Sequence, residues 1–174
     1  QDAFAVRLFA ESGLPFFVSS SFSKSFSLYG ERVGALSIVT ATKEEAGRVL
    51  SQAKRVIRTN YSNPPTHGAT VVASVLNSPE LRALWEEELG EMRQRIRDMR
   101  LTMVEQLAAL GAKRDFSFVA RQRGMFSYSG LTAEQVERLK NEFAIYAVGT
   151  GRICVAALNR SNLEAVTKAI VQVL

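Results

Sequence analysis

Apolar positions along the chain follow two different spacings. Ala5, Leu8 and Phe9 share one face of a short helix predicted over residues 2–10, and Gly13 stands where such a helix stops. Pro15-Phe16-Phe17-Val18 and the run VGALSIVT at 33–40 are continuous and apolar, so they read as buried strands. Short apolar runs separated by helices suggest an α/β sheet covered on both faces. Thr42 followed by Glu45 has the form of a capping box, and Ala46, Val49, Leu50, Ala53, Val56 and Ile57 then recur at helical spacing to about Arg58. Asn63-Pro64-Pro65 forces a break. Residues 68–76 read as a weakly polar, buried helix.

Ser78-Pro79 opens a longer helix, with proline at the first position, where its missing N–H is harmless. Trp85, Leu89, Met92, Ile96, Met99, Met103, Leu107 and Leu110 recur in steps of three and four up to Gly111. This single stripe over about 79–110 reads as core packing, Trp85 included. Beyond it the pattern changes. Residues 116–119 and 124–128 read as short strands, and Thr132, Leu139 and Phe143 mark a capped helix. Residues 146–148 and 152–158 read as strands joined by Gly149-Thr150-Gly151. Ser161 and Glu164 form a further capping box before a last helix holding Val166 and Ile170. The organisation predicted is α/β followed by a small α+β domain, with the long helix linking the two.

Composition narrows the function classes. Of 174 residues, 47% are hydrophobic and 22% charged, as in an ordinary globular protein. Cys154 is the one cysteine, so no internal disulfide forms, and no Cys/His cluster suggests a metal site. A reducing compartment, the cytoplasm, is expected. No signal peptide and no membrane-length apolar run is visible, so no membrane partner is expected. The first residue is Gln1, which points to a fragment or a processed chain. The net charge is +5, but its basic residues are interleaved with acids and form no aromatic-basic stripe, so nucleic acid is not an expected partner.

The segment with most chemical content is residues 19–34, between the two apolar runs. Lys24 is a lone lysine among hydroxyls and aromatics. Burial disfavours an ammonium, and a neutral amine can attack an aldehyde to form a Schiff base. Ser21 and Arg32 could hold a phosphate through a hydroxyl and a charged fork. Read alone, these residues leave open a surface lysine and an ordinary salt-bridging arginine.

The pattern S-x-S-K, then x-F-x-L-Y-x-E-R-V-G, resembles the cofactor-lysine motif of the aspartate and aromatic-amino-acid aminotransferases, fold-type I pyridoxal-phosphate enzymes. The resemblance continues in I-R-x-N-Y-S-N-P-P-x-H-G at 57–68, R-G-M-F-S-Y-S-G-L at 123–131 and G-R-I-C-V-A-A-L-N at 151–159, and so covers essentially the whole chain. It implies the cofactor pyridoxal 5'-phosphate, with Lys24 forming the Schiff base and then moving the substrate proton. It implies that Ser21 and Arg32 bind the cofactor phosphate. Arg152 would grip the substrate α-carboxylate, and Phe126 would line the substrate cavity. Arg58 matches the position that meets a distal carboxylate across a subunit interface, so a homodimer is implied.

Phe22, Phe26-Ser27 and Gly30 look closer to the aromatic branch, while Arg58 implies that dicarboxylates are still accepted. His67 is expected to be structural, Tyr61 and Asn63 are given no chemical role, and Cys154 is read as a small apolar residue. On this resemblance residues 1–90 are the C-terminal part of the large cofactor-binding domain and 91–174 the small domain. Family members are much longer. The resemblance implies a missing N-terminal part, in which the acid that pairs with the pyridine nitrogen is expected. Strands of such a fragment are expected to have unpaired edges and exposed apolar faces, and the isolated chain is expected to be inactive. A non-catalytic folded module, and a lyase or synthase of the same fold, are the alternatives.

Overall fold

Helix caps and breakers place most of the elements. The computed structural model describes residues 3–174. It divides into two compact units, Gln1–Trp85 and Glu86–Leu174.

In the first unit, α1 covers Phe4–Glu11 and stops before Gly13, whose φ is +71°. The predicted start at Asp2 lies outside the described residues. Strand β1 (Phe16–Ser21) pairs antiparallel with β2 (Gly34–Val39), from Phe16↔Val39 to Ser21↔Gly34. This corrects the expected sheet covered on both faces. The two strands form an isolated hairpin, and Phe17 and Leu36 are 72% and 60% exposed. Among the described residues no further strand pairs with either, as expected for part of a larger sheet, and α1 meets β1 through Phe9 and Phe16, with ring centroids 5.7 Å apart.

Helix α2 spans Lys43–Tyr61. The Thr42 hydroxyl accepts from the Glu45 amide at 3.1 Å, while the Glu45 carboxylate accepts from Ala41, not Thr42, at 3.0 Å. The box is therefore closed one residue further out. The helix ends at Ser62, with φ 68° and ψ −71°, and Asn63 N–H bonds the Tyr61 carbonyl at 2.9 Å, a γ-turn. Helix α3 covers His67–Asn77, but only Gly68 and Val72 in it are buried, so the predicted burial holds for one face. Helix α4 runs Pro79–Ala109 and crosses the division between the units.

The second unit has the developed core. Met103 and Leu107 of α4 are fully buried with Val119, Leu139, Val155 and Ile170. Residues 116–119, expected as a strand, instead contribute to a helical turn, α5 (Ser117–Ala120). The reason is local: Asp115 accepts from both the amide and the hydroxyl of Ser117 at 2.7 Å, which caps a turn. Strands β3 (Phe126–Tyr128) and β4 (Arg152–Cys154) pair antiparallel. The expected strand at 146–148 is irregular, closed by a Gly151 N–H to Val148 carbonyl bond of 2.8 Å. The expected strand at 152–158 ends at Cys154 and passes into a 3-10 turn, Val155–Ala157. Gly151 has φ +82°, and a Cβ there would lie 2.6 Å from the Leu131 carbonyl oxygen.

Helix α6 (Ala133–Phe143) opens on a complete Thr132–Gln135 capping box. Helix α7 (Leu163–Val173) does not use the expected Ser161 box. Asn159 takes that place: its Oδ1 accepts from the Ser161 amide, the Ser161 hydroxyl and the Asn162 amide at 2.9, 2.6 and 3.1 Å. Arg100 of α4 is 4% exposed and donates to Ser127 Oγ at 3.1 Å and the Gly124 carbonyl at 2.6 Å. Burial, then the nearby Arg123 charge, lowers its pKa. No helix among the described residues is long and apolar enough to cross a membrane.

Candidate functional site

The β1–β2 hairpin ends in Ser21 and Gly34, and the loop between them carries the candidate residues. Gly34 is required by packing, since a Cβ would stand 2.6 Å from the Ser20 carbonyl oxygen. The Ser21 hydroxyl accepts from the Ser23 amide at 3.3 Å, and Ser23 is buried. Arg32 sits at φ +52° and donates one Nη to the Tyr29 carbonyl at 3.0 Å, leaving the rest of its fork of donors for other acceptors. Ser19, Ser20, Ser21, Ser23 and Arg32 border one concavity of about 240 Å³. Hydroxyls and a guanidinium converging on a small space suit a phosphate. The structure thus places Ser21 and Arg32 on one concavity.

The segment carrying Arg32 is backed by α3. A Cβ on Gly68 would lie 3.0 Å from the Val33 Cβ and 3.2 Å from the Glu31 Cβ, so glycine permits the close approach. His67 reaches Glu31 only at 4.0 Å and is well exposed.

Lys24 lies outside the lining of that concavity and is exposed, which corrects the expectation of a buried amine. Its Nζ stands 5.2 Å from the centroid of the Tyr29 ring. The neighbours turn the other way. The Phe26 amide bonds the Phe22 carbonyl at 3.1 Å, so 22–26 is one helical turn with the two rings on the same side. Phe22 meets Phe26 edge-on at 5.6 Å, and Phe26 stacks on Trp85 at 4.7 Å. The Trp85 indole N–H also donates to the Ser25 carbonyl at 2.7 Å. Trp85 therefore supports the lysine loop, a place that helical spacing could not reveal because spacing reports a face and not what covers it.

Arg58 lies on the last turn of α2, is exposed, and donates to the Ser62 hydroxyl at 2.7 Å. It is not among the residues lining the Ser21–Arg32 concavity.

In the second unit, the β3–β4 register places Phe126 and Arg152 diagonally on one face of the ribbon. The Arg152 guanidinium carbon lies 4.9 Å from the Phe126 ring centroid. Both side chains are exposed, and Ser127 between them in register faces inward. A flat cation resting on an aromatic face is a suitable dock for a planar carboxylate.

The family model for aminotransferase class I and II matches residues 1–170. The chain is 86% identical over its full length to an aspartate aminotransferase of Pseudomonas aeruginosa, covering 44% of that protein. It is 52% identical to the aromatic-amino-acid aminotransferase of Escherichia coli, again covering all of this chain and 44% of the relative. The crystal structure of an aromatic-amino-acid aminotransferase from Burkholderia pseudomallei, covalently bound to pyridoxal phosphate, superimposes with a TM-score of 0.96 at 72% identity, over 99% of this chain and 43% of that one. The chain thus spans less than half the length of these relatives. With motif, fold and full-chain likeness in agreement, the chain belongs to the class I and II aminotransferases and carries part of their fold-type I architecture.

Proposed function

We propose that this chain acts as part of an amino-acid aminotransferase that uses pyridoxal 5'-phosphate to move amino groups between aspartate or aromatic amino acids and 2-oxoglutarate. The observation that carries this is the concavity in which Ser21 and Arg32 converge at the base of the loop bearing Lys24. The likeness to a solved relative that holds pyridoxal phosphate covalently supports it. When bound, the cofactor supplies an electron sink for the bond broken at the substrate α-carbon.

In this reading Ser21 and Arg32 hold the phosphate, and Lys24 is the covalent tether for the cofactor. The exposed position of Lys24 leaves its amine free to approach from the open side of the loop. With the cofactor bound, the Lys24 amine would lie beside the substrate α-carbon and would move the α-proton, where proximity replaces a bimolecular encounter. Arg152 grips the α-carboxylate against the face of Phe126. Arg58 serves a distal carboxylate from the partner subunit of a homodimer. Residues 1–90 belong to the cofactor-binding domain and 91–174 to the small domain, and the enzyme works in the cytoplasm. The acid that keeps the pyridine nitrogen protonated lies in the part of the enzyme outside this chain, so activity is a property of the full-length protein.

The test uses that full-length protein with added pyridoxal phosphate. A shifted visible band that borohydride traps on the Lys24 peptide, and that is lost in Lys24→Ala, is expected. Product analysis should then show a 2-oxo acid with amine transferred and no elimination product. A band that persists unchanged in Lys24→Ala overturns the assignment.

A further inference from the structure

One indole makes two unlike contacts with the lysine loop. Its face stacks on Phe26 at 4.7 Å with the rings 19° apart. Its N–H donates to the carbonyl of Ser25, the residue next to Lys24, at 2.7 Å. The turn 22–26 directs Phe22 and Phe26 to the Trp85 side, and Lys24, between them in sequence, is exposed. Further along, the Ser27 amide bonds the Lys24 carbonyl at 3.4 Å, and Ser27 takes a left-handed conformation with φ +54°. The peptide around Lys24 is thus pinned on the Trp85 side, while the Lys24 amine is exposed and lies 5.2 Å from the Tyr29 ring centroid. Helix packing alone does not explain the residue type. Leu81 and Leu84 on the same helix turn are 44% and 53% exposed, and Trp85 itself is only partly buried. Leucine or phenylalanine could fill such a volume, whereas a ring that both stacks and donates to a carbonyl is supplied by tryptophan.

The geometry points to Trp85 as the positioning residue for Lys24, holding the loop backbone fixed while the lysine side chain moves. This rests on the reading of Lys24 as the cofactor tether. A lysine that is attached, then detached, then used as a base must find the same atom each time. Displacement of about 1 Å in such an arrangement can reduce a rate about a hundredfold. Loss of the N–H alone should be milder, about tenfold, because it leaves one partly buried carbonyl unpaired.

The experiment compares full-length wild type with Trp85→Phe, which keeps the stack, and Trp85→Leu, which loses both contacts. Three quantities are read. The first is amide hydrogen exchange of the peptide covering 22–29 in cofactor-free protein, with the α2 peptide as internal control. The second is the pH midpoint of the visible band of the cofactor on Lys24. The third is kcat against KM. Both variants should exchange faster over 22–29, Trp85→Leu more so, with α2 unchanged. The band midpoint should move, and kcat should fall about tenfold in Trp85→Phe with KM changed less than about twofold. Should Trp85→Leu fail to fold, Trp85→Phe decides alone. Wild-type exchange and an unmoved midpoint in folded Trp85→Phe overturn the proposal. A wild-type band that is not trapped on Lys24 defeats the function reading instead, and leaves Trp85 as a structural clamp with no positioning role.

Discussion

Arg58 and Ser62 are joined one helical turn apart: the guanidinium donates to the Ser62 hydroxyl at 2.7 Å, while the Ser62 backbone is held at φ 68° and ψ −71°. Such a γ-turn is strained for a residue with a side chain, at about 1–3 kcal/mol. Glycine relieves the strain, and alanine keeps it while losing the hydroxyl. Ser62→Gly is therefore expected to be more stable than Ser62→Ala by about 1 kcal/mol in urea unfolding of the full-length protein. Equal midpoints would show that the turn is not strained in solution.

The same pairing bears on substrate choice. Arg58 is exposed and tethered by one neutral hydrogen bond, so it can leave Ser62 at low cost. A dual-specificity pocket requires such freedom, since the cation must meet a distal carboxylate and yield to a ring. Arg58→Ala should lower kcat/KM for aspartate on the order of a hundredfold and leave phenylalanine almost unchanged. Steady-state kinetics with both substrates decide this, and equal losses exclude a distal-carboxylate role.

What could be read in the sequence was what is fixed locally. Thr132 with Gln135, and Ser78 before Pro79, are short-range chemistry, and both open helices where expected. The placement of Ser21 and Arg32 near each other was legible in the same way, because both lie where one connection joins the paired ends of β1 and β2. The failures are places where a neighbour in space, or an unassuming side chain, decides. Among the described residues the apolar runs of β1 and β2 pair only with each other, so burial inferred from their hydrophobicity did not follow. Residues 116–119, rich in aromatic and β-branched residues, read as a strand, but the Asp115 carboxylate turns them. Trp85 fits the helical stripe, and nothing in its spacing shows that Ser25 and Phe26 cover it.

Asp115 gives a pH prediction. Hydrogen bonds from the Ser117 hydroxyl and then its amide hold the carboxyl below the usual carboxylate range. A depressed folded-state pKa means that the stabilisation is present above the unfolded value and disappears as pH falls through the folded one. The α5 turn should therefore loosen only in acid. The Ser117 amide resonance should titrate there in wild type and stay flat in Asp115→Asn. Movement in both proteins would assign the change to another group.

Arg100 connects the core of the second unit to the β3–β4 ribbon. Its two hydrogen bonds go to Gly124 and Ser127, on either side of Phe126, and so fix the strand on which Phe126 presents its face to Arg152. Burial makes this guanidinium an expensive strut, as its lowered pKa indicates. Arg100→Met removes the charge and keeps most of the volume, so desolvation is recovered while a hydroxyl and a carbonyl lose their donor. The two effects oppose each other, and the stability loss should stay within about 1–3 kcal/mol. Arg100→Ala adds a cavity and should lose more, about 3–5 kcal/mol. If Phe126 and Arg152 dock the α-carboxylate and Ser21 and Arg32 hold the cofactor phosphate, as proposed, Arg100→Met should raise KM for every amino-acid substrate by a similar factor while cofactor affinity is unchanged. Urea unfolding together with KM and cofactor titrations separates these outcomes. A KM that stays at the wild-type value would show that the ribbon holds its geometry without Arg100.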